Sequence, residues 1–156
     1  MLESKKRHCC STESVLFHDG KPCGKLKHRI WTTAQIEVHL LEQQRARLKR
    51  IGWLPRFRFE LVDDQSGEQY AWIKRSYKAA YLWDISLSIG LCRIFTSDSP
   101  NKNLFVEQDG ENVAEVIETR TNCWLVKPFT EMPLMDQVMI GICRARIVSS
   151  AMGAAG

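Results

Sequence analysis

Cations and thiols are the residues of this chain best suited to chemistry at a surface. Lys5, Lys6 and Arg7 stand directly before the adjacent pair Cys9 and Cys10. Such a cluster fits a membrane surface, where cations meet anionic headgroups and a cysteine can carry an acyl chain. One acyl chain alone holds a protein only marginally, so cations and acylation would have to act together. The plainer reading is a solvated tail with incidental thiols. A second run, Arg45, Arg47, Lys49 and Arg50, lies further along. The whole chain carries +4, but residues 1–78 hold 16 Lys and Arg against 9 Asp and Glu, or +7. Residues 79–156 hold 6 against 9, or −3. A basic half points to an anionic partner, either phospholipid headgroups or nucleic acid. A merely solvated face is the competing reading.

Other chemistry finds little support. The six cysteines, Cys9, Cys10, Cys23, Cys92, Cys123 and Cys143, form no C-x-x-C pair, so zinc spacing is missing. His8, His18, His28 and His39 fit no triad spacing, and Cys23 and His28 fall within one hairpin arm. Gly20 and Gly24 do not make a phosphate-binding loop. Glu107, Glu111, Glu115 and Glu118 read as exposed strand and turn positions. The tryptophans read as core, although Trp is also at home at a membrane interface. Bond-breaking catalysis is not expected. The first residues are charged and lack an apolar stretch, so no secretory signal is expected. Free thiols in a reducing, cytosolic environment follow.

These residues need a scaffold, and 156 residues suffice for one domain with a single core. The run Val138, Met139, Ile140, Gly141, Ile142 and Cys143 is uncharged and apolar all round. A helix of that kind belongs inside a fold. It is too short to span a bilayer, which takes roughly 20 apolar residues. Around it, three hairpin signals recur: Asp19-Gly20, Asp63 to Gly67 and Asp109-Gly110, each between alternating apolar runs. Tyr81 to Leu87 reads as a further strand, and Ser97 to Asn103 as a polar loop. Repeated hairpins in one antiparallel sheet are most stable when closed, because closure leaves no free edge. Ala34 to Ile51 runs against this pattern. Ile36, Leu40, Leu41, Leu48 and Ile51 approach helical spacing, Thr32 with Gln35 can form a capping box, and Gly52 can close the end. An extra helix near 34–51 is the local reading. The domain plan is a flexible tail over 1–13, a barrel domain over 14–148 and a flexible tail over 149–156.

Three stretches, taken in order, resemble the phospholipid scramblase family, whose fold is shared with tubby-like proteins. The first is Gln35-Ile36-Glu37 with Gln43-Gln44, Gly52-Trp53 and Phe59-Glu60-Leu61. The second is the turn Gln65-Ser66-Gly67-Glu68-Gln69 with its return strand. The third is Val138 to Cys143, similar to the start of the family's C-terminal hydrophobic helix. The resemblance covers about residues 34–76 and 102–143. It implies a mainly β fold, an antiparallel barrel around the C-terminal helix, with Ile36 to Leu41 extended and not helical. It also implies binding of anionic phospholipid and movement of lipids between leaflets. A calcium segment before the last helix is implied too; here only Glu131 and Asp136 remain of it, against the six to eight oxygens calcium prefers. The family's mid-chain acylated cysteine cluster has no counterpart, and Cys9 and Cys10 replace it only by analogy. The chain is shorter than the family barrel, chiefly between Tyr77 and Lys102, which points to an incomplete barrel. A soluble barrel binding nucleic acid or an acidic protein is the alternative function.

Overall fold

The computed structural model describes residues 1–6, 12–28, 36–52, 58–76, 82–95, 103–120 and 123–144. The expectations for Arg7, Cys9, Cys10, Thr32, Gln35 and the 149–156 tail lie outside these residues. In chain order the strands are β1 (Leu2–Lys6), β2 (Glu13–His18), β3 (Lys21–His28), β4 (Ile36–Leu40), β5 (Arg45–Ile51) and β6 (Arg58–Asp63). They continue with β7 (Gln69–Arg75), β8 (Leu82–Leu87), β9 (Gly90–Phe95), β10 (Asn103–Gln108), β11 (Glu111–Arg120) and β12 (Cys123–Pro128). One helix, α1 (Leu134–Ile142), follows them.

Each strand pairs antiparallel with its chain neighbours, and β1 closes the ring onto β12 through Leu2–Val126, Glu3–Leu125 and Ser4–Trp124. The barrel is closed, not incomplete. β8 and β9 supply the wall between Tyr77 and Lys102 where a gap was expected, because Gly90 at φ 123° allows a tight return between them. The three Asp-to-Gly signals form the hairpins β2–β3, β6–β7 and β10–β11. In two of them both turn residues have positive φ: Asp19 at 49° and Gly20 at 79°, Asp109 at 52° and Gly110 at 85°. That mirror-image turn matches the twist of the strands it joins.

Two expectations are corrected. Residues 34–51 hold no helix among those described: β4 and β5 occupy them. Ile36, Val38 and Leu40 point inward while Glu37 and His39 point out, a period of two set by pairing with β3. Leu41, which completed the apparent helical stripe, is 71% exposed in the turn, and Gln43 there has φ 60°. The second correction is Leu2–Lys6, read as part of a flexible tail. It is β1, with Leu2 and Ser4 fully buried. Its single apolar residue hid the alternation, and its place is decided by partners distant in sequence.

The inward residues and α1 form one core. Eight of the nine helix residues, Met135 to Ile142, are buried. The helix touches β1 and β7, which stand on opposite sides of the ring, so it fills the interior. Full burial of each inward Leu or Ile stabilises by roughly 1.5–3 kcal/mol. Gly141 faces the ring of Trp124, itself 1% exposed; a Cβ at Gly141 would run into that ring. The helix is pinned at both ends. Near its start the buried Asp136 carboxylate accepts from the Ser88 hydroxyl at 2.6 Å and from the Ser88 N–H at 3.1 and 3.2 Å. Just past its end Arg144, 7% exposed, meets Glu118 at 3.4 Å.

Gly141→Ala is expected to destabilise the fold by about 1–3 kcal/mol through overpacking against Trp124. Urea melts of the wild type and the variant check this; an unchanged midpoint would remove the helix from the interior.

Candidate functional site

Antiparallel pairing gives the barrel two chemically different ends. At one end lie the turns 19–20, 41–44, 64–68, 88–89 and 109–110, together with the link 129–133 into α1. These segments contain Asp19, Glu42, Asp64, Glu68, Asp109 and Glu131, all exposed, and no Lys or Arg. The strand tips that meet them add Glu3, Asp63, Glu107 and Glu111 against Lys21, Arg45 and Lys127. At the opposite end the two outermost residues of each strand supply Lys5, Lys6, Lys27, Arg50, Arg58, Lys74, Arg75 and Arg120 against Glu13 and Glu37. One end of the molecule is acidic and the other basic.

The cationic residues singled out from the sequence divide between these surroundings. Lys5, Lys6 and Arg50 come to the basic end, and Lys49 lies one residue inside it, opposite Glu60 of β6. Arg45 and Arg47 point outward from β5 toward the acidic end, and Arg47 Nε meets Asp64 at 3.4 Å. Several cations of the wall are matched with carboxylates. Lys25 and Lys27 stand 3.8 and 3.9 Å from Glu13, Arg58 stands 2.6 Å from Glu60, and Arg93 stands 3.9 Å from Asp84. Lys6 and Arg120 have no ion-pair partner among the described residues. They border a cleft of about 370 Å³ at the β1–β12 seam, lined by Glu3, Lys5, Lys6, Thr119, Arg120 and Cys123. Sequence reasoning missed Thr119, Arg120 and Cys123, because nothing local places the end of β11 beside β1.

The two carboxylates considered for calcium serve different ends. Asp136 is 2% exposed and its oxygens are held by Ser88, while Glu131 is exposed. No group of three or more His, Cys, Asp or Glu disposed to hold a metal occurs among the described residues. The run Val138 to Cys143 lies wholly in the core. Burial pushes the Cys143 thiol far up, and burial with the nearby Asp136 carboxylate pushes Cys92 up to about 11. Both pack into the core.

Two parts of the sequence motif meet at the acidic end. Gln44 Nε2 donates to the Tyr70 hydroxyl at 3.1 Å, which donates to Asp63 Oδ2 at 2.8 Å. Asp63 Oδ1 accepts from the N–H groups of Ser66 at 2.7 Å and Gln65 at 2.9 Å. The Ser66 N–H, then the Tyr70 hydroxyl and the Gln65 N–H, draw the Asp63 carboxyl down to about 2. This clasp ties the β4–β5 turn to the β6–β7 turn.

With this geometry in view, no family model matches the chain, and no curated protein or solved structure does. No helix among the described residues is long and apolar enough to cross a membrane.

The depressed Asp63 carboxyl has a stated pH consequence. Its contribution is fully present above its ordinary value of 3.8 and is lost as pH falls toward about 2. An NMR titration is expected to place Asp63 at about 2. Asp63→Asn is expected to lower stability at neutral pH and to flatten the acid limb of the stability curve. An Asp63 resonance titrating near 3.8 would dismiss the clasp.

Proposed function

We propose that this chain is a scramblase-like, membrane-associated protein that binds anionic phospholipid through the basic end of its barrel. The separation of charge between the two ends carries the reading. A flat anionic surface attracts the basic end and repels the acidic one, so the molecule docks end-on. Cations near such a surface contribute about 1 kcal/mol each. The resemblance to scramblases supports lipid as the anion, since the closed barrel around a hydrophobic C-terminal helix is the architecture it implies. The proposal is of binding. The barrel interior is occupied by α1 and the side chains around it, so any movement of lipid would have to follow the outer wall.

Co-sedimentation with phosphatidylserine-containing vesicles is expected at low salt and is expected to weaken as salt screens the surface. Vesicles of phosphatidylcholine alone are expected to leave the protein in solution. Lys49→Gln with Arg75→Gln removes two cations at and just inside the basic end and should weaken binding roughly 30-fold at about 1 kcal/mol each. Lys21→Gln with Lys127→Gln, at the acidic end, should leave it unchanged. Equal losses in both double variants would defeat the end-on reading. Binding to random duplex DNA, with none to anionic vesicles, would transfer the basic end to nucleic acid.

A further inference from the structure

The cleft at the β1–β12 seam differs from the rest of the basic end. On the outer wall, Lys25, Lys27, Arg47, Arg58 and Arg93 each stand within 4 Å of a carboxylate. Here three cations, Lys5, Lys6 and Arg120, border one concavity with a single carboxylate, Glu3. Glu3 is engaged by Lys5 at 3.1 Å, and the Lys5 ammonium also sits 5.2 Å from the Phe17 ring centroid. Two positive groups, those of Lys6 and Arg120, are left without a carboxylate partner among the described residues. Thr119 lines the same space. A volume of about 370 Å³ suits a compact polar group, at the small end of the range for ligand sites.

We propose that this cleft is a subsite for one phosphate monoester. Arg120 offers a planar fork of donors matched to two phosphate oxygens, and Lys6 offers a compact charge beside it. Thr119 supplies a neutral donor. A dianionic phosphate balances the two unmatched cations, which a singly charged carboxylate does not. The phosphate can belong to a lipid headgroup or to a soluble molecule. The inference rests on the reading of this end as anion-binding, but it concerns a built subsite, whereas the reading above needs only surface charge.

The test has two arms. In the first, inorganic phosphate is titrated into the full chain at constant ionic strength, with chloride as control, and backbone amide shifts are followed by NMR. Saturable shifts at Thr119 and Cys123 are expected with phosphate and not with chloride. Arg120→Gln is expected to weaken phosphate roughly tenfold or more, the scale of a charge-assisted hydrogen bond. Lys21→Gln, at the far end, and the Lys49→Gln/Arg75→Gln variant are expected to leave phosphate binding intact. In the second arm, vesicles containing phosphatidic acid are compared with phosphatidylserine vesicles of equal surface charge. A preference for phosphatidic acid that disappears in Arg120→Gln assigns the phosphate to a lipid. Phosphate shifts with no such preference support the subsite and assign it to a soluble molecule. Absence of saturable shifts, or shifts unchanged in Arg120→Gln, overturns the subsite. If wild-type protein still binds phosphatidylserine vesicles in that case, the subsite alone fails and the membrane reading stands.

Discussion

A ring of strands without a free edge must be filled, and this need governs the molecule. Twelve antiparallel strands enclose more space than their own inward side chains occupy, and α1 takes up the remainder. The filling is specific. Gly141 is the helix position where a side chain would meet Trp124, so the helix can lie against β12 only with glycine there. The polar contacts at its two ends set its position along the axis. Asp136 is held by the β8–β9 turn, and Arg144 is held by Glu118 of β11. A buried carboxylate or guanidinium without such a partner would cost several kcal/mol. These pairings therefore resist sliding of the rod as well as its escape.

The same architecture explains the uneven charge. Tight returns need residues that tolerate positive φ, and Asp, Gly and Asn or Gln serve that need. Asp19-Gly20 and Asp109-Gly110 adopt such returns, and Asp63 caps its turn by accepting from Ser66 and Gln65. Because alternate connections fall at the same end of an up-and-down barrel, this turn chemistry gathers carboxylates there. The cations stand at the other strand tips. Hairpin geometry thus accounts for part of the charge polarity, through Asp19, Asp63 and Asp109.

Much of the fold was legible in the sequence. The Asp-to-Gly returns and the uncharged run Val138 to Cys143 indicated antiparallel hairpins and an enclosed helix, while the shortfall between Tyr77 and Lys102 wrongly suggested an incomplete barrel. What failed did so where pairing partners lie far away in sequence. Leu2–Lys6 has one apolar residue and looks like a tail until β12 and β2 flank it. Residues 34–51 show a helical stripe only if Leu41 counts as core, and the β4–β5 turn exposes it. The candidate site was half legible. Lys5 and Lys6 were visible as a cationic pair. Thr119, Arg120 and Cys123 join them only through ring closure, which no local pattern encodes. Arg45 and Arg47 looked like members of the same cluster, but alternation and strand direction turn them toward the acidic end.

Orientation at the membrane is the most direct test of the account. An environment-sensitive fluorescent amino acid can be placed at exposed Asn103, a strand tip at the basic end, or at exposed Thr130, at the acidic end. On addition of phosphatidylserine vesicles, the probe at Asn103 should shift to the blue and the probe at Thr130 should remain in water. A blue shift at Thr130 alone, or equal shifts at both positions, would contradict the account.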